Sequence, residues 1–181
     1  MIFTRLTFNT RHWEVPMGHP WKVEYRNRNN IPFENQFGLG HEEWLFNTRY
    51  YIQGYQYGYI RGIRLMNPLV QVIDRVYLYS IRREGPQRIV YYIGHLNNVQ
   101  RLAENWQQTL PEVALVYAGF EKQVLQEIAD VGADPEGLRR GESYPVVRFR
   151  LEDAILQDEP KIITQFPLGR FKTVPALSND T

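Results

Sequence analysis

The chain has 181 residues, no cysteine and a net charge of +1. That length suits one domain, and the missing cysteine excludes disulfides, thiolate metal sites and cysteine nucleophiles. Charged residues at 23% and hydrophobic ones at 43% fit a globular chain, and no apolar run approaches the roughly 18–20 residues of a membrane span. Met1–Asn9 carries Arg5 and no long apolar core, which does not suit a signal peptide. The expectation is a soluble, cytoplasmic protein with no membrane partner: a single domain over 1–181, with 172–181 a tail or linker.

Charge type and placement say more than net charge. There are 17 arginines and 4 lysines. Residues 1–110 hold 13 basic and 8 acidic residues, whereas 111–181 hold 8 and 12. Arginine suits bidentate phosphate contacts and stacking on rings. Nine of the 12 tyrosines fall between Tyr50 and Tyr92. A basic first part rich in Arg and Tyr points to nucleic acid, and a tyrosine-rich sheet with solvated arginines is the plainer alternative.

In chain order, Ile2, Thr4, Leu6 and Phe8 alternate with Phe3, Arg5 and Thr7, which predicts a half-buried strand. The stretch Thr10–Gly40 is irregular, with strand-like alternation only at Trp21–Tyr25; Trp13, Trp21 and Phe33 argue against disorder. The spacing of Trp44, Leu45, Thr48 and Ile52 predicts a short helix over His41–Ile52. Tyr55–Leu65 alternates like a strand, and Gly54, Gly58 and Gly62 mark bends in a curved sheet. Val70–Arg82 and Arg88–Leu96 flank a Glu84-Gly85-Pro86 turn and predict a central antiparallel hairpin.

Val99, Leu102, Ala103 and Trp106 predict another short helix, and Val113–Ala118 a strand. Phe120, Val124, Ile128 and Val131, with Leu125, predict an amphipathic helix ending near Gly132. Asp134–Gly137 reads as a loop and Pro145–Leu151 as a strand; nothing regular is read past Phe171. Strands joined by short turns predict α+β, with a curved mixed sheet or partly open β-barrel flanked by short helices.

The histidines are His12, His19, His41 and His95. His41-Glu42-Glu43 has Leu45 where a metalloprotease helix needs its second histidine. No nucleophile elbow, P-loop or dinucleotide glycine pattern occurs, so no catalytic set, metal or cofactor is expected. Trp44 and Trp106 are core anchors or walls of an aromatic cage for a flipped base, where stacking is worth roughly 1–3 kcal/mol per base. Tyr79 and Ser80 are candidates for hydrogen bonds to a base edge. Arg82 and Arg83 at the hairpin turn, and Arg148 and Arg150 on one strand face, are candidates for phosphate contacts.

These segments resemble a known group. Val76-Tyr77-Leu78-Tyr79-Ser80-Ile81, a turn, Tyr91-Tyr92-Ile93-Gly94-His95-Leu96 and then Asn98-Val99 resemble the central hairpin of YTH and EVE domains, of the PUA-like superfamily. Trp44 with Asn47 resembles the segment that gives those domains a cage tryptophan and a nearby asparagine. Tyr144–Ala154 resembles their late strand, and the likeness spans roughly 37–170. Trp106 is the nearest match to their second cage aromatic. The segment Thr10–Gly40 is not the family's usual opening, so Trp13 or Trp21 is the alternative.

The resemblance implies a binding module for a modified, methylated base, in double-stranded DNA, flipped into an aromatic pocket. It would pass recognition to a separate nuclease or motor, as the specificity part of a modification-dependent restriction or defence system. The alternatives are an enzyme like the ASCH ribonuclease or amidohydrolase, with Lys22, His41, Glu42 and Thr48 as the places to look, and a protein-interaction domain using its Tyr/Arg surface.

Overall fold

Ile2, Thr4 and Leu6 are buried and Phe3 and Arg5 half-buried, and this alternation makes β1 (Ile2–Leu6). The structure is a computed structural model that describes residues 2–18, 36–64, 66–67, 69–84, 87–140, 145–163 and 171–173. The expected strand at Trp21–Tyr25, with Trp21 and Lys22, lies outside the described residues, as do His19, Phe33, Tyr144 and 174–181.

Two short strands, β2 (Tyr51–Ile52) and β3 (Tyr55–Gly58), are joined at Gln53-Gly54, both at positive φ (50° and 83°), the geometry of a tight hairpin turn. β4 (Val72–Glu84) and β5 (Gln87–Arg101) form the central antiparallel hairpin that the alternation predicts. One edge of β5 is shared. Its Gln100–Arg101 end pairs with β6 (Val147–Phe149), and its Val90–Leu96 stretch pairs with β7 (Ala154–Ile163). β1 lies parallel to β4, and β8 (Phe171–Thr173) is antiparallel on the other side of β1. The path β2-β3-β6-β5-β4-β1-β8, with β7 added on β5, is a mixed open sheet that does not close on itself among the described residues. With its helices the fold is α+β.

Gly94 accommodates the β7 crossing. Its φ is +149°, and a Cβ there would lie 2.3 Å from the Ile155 carbonyl oxygen and 2.8 Å from Leu156 Cα. Both β4–β5 and β5–β7 shift register beside it. A side chain at this position would push β7 off the sheet.

Several elements differ from the sequence reading. The single helix expected over His41–Ile52 is two 3-10 turns, His41–Trp44 and Thr48–Tyr50, followed by β2. Asn47 divides them: its backbone is extended and its side chain accepts from the Arg49 N–H, which starts a new turn. The strand at Tyr55–Leu65 stops at Gly58 and gives way to α1 (Arg61–Arg64). Ile60 and Ile63 are both fully buried, and that i, i+3 spacing needs a helical turn. Gly62 therefore sits in a helix and Gly54 in a turn, so neither bends a strand.

The helix expected from Val99 is mostly strand. Val99 pairs with Ile73, and the Arg101 N–H bonds the Gln71 carbonyl. Only α2 (Trp106–Thr109) is helical. The strand expected at Val113–Ala118 is the first part of α3 (Pro111–Asp130). Pro111 stands in its first turn, where a missing N–H costs nothing. Val113, Tyr117, Phe120, Val124 and Ile128 follow one helical stripe and pack in a single cluster. Asp134 caps α4 (Glu136–Arg140) where a loop was expected: its carboxylate accepts from the Glu136 N–H.

Two apolar clusters result. One packs Ile2, Leu6 and Trp13 against Val76, Leu78 and Phe149. The other packs α3 against Trp44, Tyr50, Tyr57 and Trp106. Among the described residues no helix is long and apolar enough to cross a membrane.

Candidate functional site

Between α3, α2 and the first 3-10 turn lies a cavity of about 500 Å³. Trp44, Tyr50, Tyr59, Trp106 and Tyr117 line it. Separate elements supply these rings: the two 3-10 turns give Trp44 and Tyr50, the residue after β3 gives Tyr59, α2 gives Trp106 and the second turn of α3 gives Tyr117. Trp44 and Trp106, the two cage candidates from the sequence, thus meet at one cavity.

The rings brace each other. Tyr50 and Tyr117 stack at 4.3 Å and 16°, and Trp106 meets Tyr117 edge-on at 6.1 Å. Trp44 donates its indole N–H to Glu127 Oε2 at 2.8 Å. The other carboxylate oxygen of Glu127 accepts from Arg49, whose guanidinium also lies 5.3 Å from the Phe120 ring centre. Burial is the main cause that pushes the Tyr50 phenol up to about 12; Arg49 opposes it and Glu127 adds to it. Burial, then Tyr50 and Tyr57, push Tyr117 well above the ordinary tyrosine range. Both are neutral phenols across the physiological range.

Asn47 sits behind this wall and does not line the cavity. Its Oδ1 accepts from the Arg49 N–H and Nε, and its Nδ2 donates to the Glu14 carbonyl. Tyr79 and Ser80 lie on β4, in register with Arg5 and Leu6, and both are buried away from the cavity. Ser80 Oγ donates to the Leu6 carbonyl at 3.2 Å. Trp13 packs in the other cluster and donates its indole N–H to the Thr7 carbonyl at 2.8 Å.

Arg148 on β6 and Arg150, the residue just past its end, both approach the Tyr55 ring, at 4.5 and 5.3 Å. Arg148 is held by Gln100 at 2.8 Å and by the Tyr57 hydroxyl at 3.4 Å. Tyr57 belongs to the packing cluster that holds the cavity rings, so Arg148 reaches that cluster through it. Arg150 is exposed and pairs with Glu152 at 3.4 Å. Arg82 is exposed on the hairpin, its guanidinium 5.6 Å from the Phe8 ring centre. Arg83 stands opposite Arg88 near the hairpin end.

His41 lines the cavity and packs on Tyr59 at 5.2 Å. The neighbouring carboxylates point elsewhere. Glu43, fully buried, accepts from the Gly40 and Met17 N–H groups at 2.8 Å each, and Glu42 accepts from Thr7 at 3.3 Å. Among the described residues no group of three His, Asp or Glu could hold a metal ion.

Sequence reasoning missed Tyr50, Tyr59, Tyr117, Glu121 and Glu127. The helical stripe from Val113 through Tyr117 was the available signal. No family, curated protein or solved structure matches this chain.

Proposed function

We propose that this protein is a nucleic-acid-binding module of PUA-like architecture that takes a modified, methylated base out of a DNA duplex into the Trp44–Trp106 cavity. One observation carries the reading: two tryptophans far apart in the chain wall the same ring-lined cavity of about 500 Å³. A flat base stacks on such rings regardless of sequence, and a methyl group adds apolar surface that fits between them. Arg148 and Arg150, beside Tyr55, and Arg82 and Arg83, on the hairpin, would meet the phosphates. A partner nuclease or motor would supply the chemistry in a restriction or defence setting.

The ASCH-like enzyme alternative keeps His41 at the cavity wall, but Glu42 and Glu43 are engaged in holding backbone and Thr7. The protein-interaction alternative would use exposed apolar residues of β7 such as Ile162.

Fluorescence anisotropy on duplexes with and without methylated bases tests the reading. A preference for a modified duplex is expected, and in Trp106→Ala, where burial of Trp106 makes truncation costly to the fold, the preference of the folded fraction should fall about five- to 150-fold. Equal binding of all duplexes by the native protein would overturn it.

A further inference from the structure

We infer that the cavity selects a base made cationic by ring N-methylation, such as 7-methylguanine, 1-methyladenine or 3-methylcytosine, over neutral methylated bases. This inference rests on the base-reading proposal and adds the charge of the ligand.

Among the described residues the lining includes Trp44, Tyr50, Tyr59, Trp106 and Tyr117, one imidazole, His41, one carboxylate, Glu121, and no lysine or arginine. Any base stacks on such rings. A cation gains a further attraction from their quadrupoles, largest for tryptophan and larger where water is excluded. A methylated, cationic base spreads its charge over a flat ring, so it keeps the stacking and adds this term.

Two features strengthen the field. The Trp44 indole N–H donates to a carboxylate, Glu127, which pushes electron density toward the ring face. Arg49 near this wall is paired with Glu127, so the two together add no net charge there. Glu121 stands at i+4 from Tyr117 on α3 and is exposed, so it lies at the mouth of the cavity. The whole helix is acidic, with Glu112, Glu121, Glu127 and Asp130 against Lys122 alone. The charge division of the chain therefore acquires a structural meaning. The acidic helix α3, from the later part of the chain, supplies one wall of the cavity.

Tryptophan fluorescence titration with free nucleosides tests the inference. The probes are 7-methylguanosine, guanosine, N6-methyladenosine, 5-methylcytidine and, as a non-nucleic-acid cation, a trimethyllysine peptide. The expected result is that 7-methylguanosine binds about tenfold tighter than guanosine. Glu121→Gln should shrink that ratio by about threefold, because an exposed carboxylate contributes modestly to holding a cation. Circular dichroism of the variant confirms its fold. N6-methyladenosine or 5-methylcytidine binding tighter than 7-methylguanosine would overturn the charge selection and leave the base-reading proposal standing. Binding of no nucleoside would overturn both. A trimethyllysine peptide that outcompetes every nucleoside would also overturn both and assign the cage to a methylated ammonium.

Discussion

Trp44 donates its indole N–H to the Glu127 carboxylate across 2.8 Å, while Arg49 meets the other oxygen of the same group. This contact ties the first 3-10 turn to the last turn of α3 and fixes the angle of one cavity wall. Neither partner of the ion pair is open to water: the side chains of Arg49 and Glu127 are 10% and 17% exposed. Removing one charge strands the other.

Glu127→Ala should therefore destabilise the fold by about 3 kcal/mol, the scale for breaking a largely buried pair. Glu127→Gln keeps one acceptor for Trp44 and should cost about half as much. Urea midpoints at unchanged slope measure both. A Glu127→Ala variant within about 0.5 kcal/mol of the native protein would mean that the contact is not held in solution.

Trp44 itself has two roles that one substitution would confuse. It is 7% exposed, so Trp44→Ala should cost roughly 3–5 kcal/mol of folding stability as well as the stacking surface. Trp44→Phe separates them. It keeps a ring against the cavity, loses the bond to Glu127, and should cost about 1–2 kcal/mol in stability while retaining the preference for a modified base. Loss of that preference in a well-folded Trp44→Phe variant would make the indole N–H contact essential to recognition.

Alkali should unfold the protein early. Burial raises the Tyr50 phenol from 10.0 to about 12 in the fold. Between those values the unfolded chain has released this proton and the folded chain has not, so stability falls as pH rises through that window. A difference of about two units corresponds to about 2.7 kcal/mol for this group. Tyr117, shifted in the same direction, steepens the fall. In Tyr50→Phe the fall in stability over the same window should be smaller by about that amount. An unchanged alkaline slope in that variant would show that the phenol is hydrated in the folded state.

The central hairpin was legible because Val76, Leu78 and Leu96 alternate with half-exposed residues over a long run, and only a strand satisfies that. α3 was legible only from Phe120 onward. Val113 and Val116 are β-branched and read locally as strand, and the stripe that overrides them needs Tyr117 and Phe120 to join it. That misreading hid Tyr117, which lines the cavity. Trp44 and Trp106 stood out by residue type and meet at the cavity. Asn47 and Trp13 were chosen from the resemblance, and Tyr79 and Ser80 from their place on the central strand, but side-chain direction decides lining. Asn47 turns to Arg49 and Glu14, Ser80 to Leu6, and Trp13 to Thr7. β7 carried too little alternation to read, since Ile155, Leu156 and Ile162 are all exposed.

Gly94→Ala should detach β7. The added Cβ would come within 2.3 Å of the Ile155 carbonyl, and the φ of +149° is one that side chains rarely adopt. The cost should exceed about 2 kcal/mol. Amide hydrogen exchange should rise along Ala154–Ile163 before it rises in β4, because β4 keeps β1 as a second partner. Exchange rising uniformly over the sheet would mean that β7 is part of the same cooperative unit.

Arg150 and Arg148 should differ although both approach Tyr55. Arg150 is exposed, and its ion pair with Glu152 spans 3.4 Å between side chains that are 55% and 70% exposed. Such a pair contributes little, so Arg150→Ala should leave stability within about 0.5 kcal/mol of native. If its guanidinium meets a phosphate, the plot of log K against log salt should lose about one unit of slope on modified and unmodified duplexes alike. Arg148 is bonded to Gln100 and Tyr57 and covers Tyr55. Arg148→Ala should therefore cost about 1–2 kcal/mol of stability as well, because two polar partners lose their bond. Its effect on base preference should exceed that of Arg150→Ala, since Tyr57 packs directly with the cavity rings. A salt slope unchanged in both variants would remove this pair from the nucleic-acid contact and move the phosphate contacts to Arg82 and the hairpin.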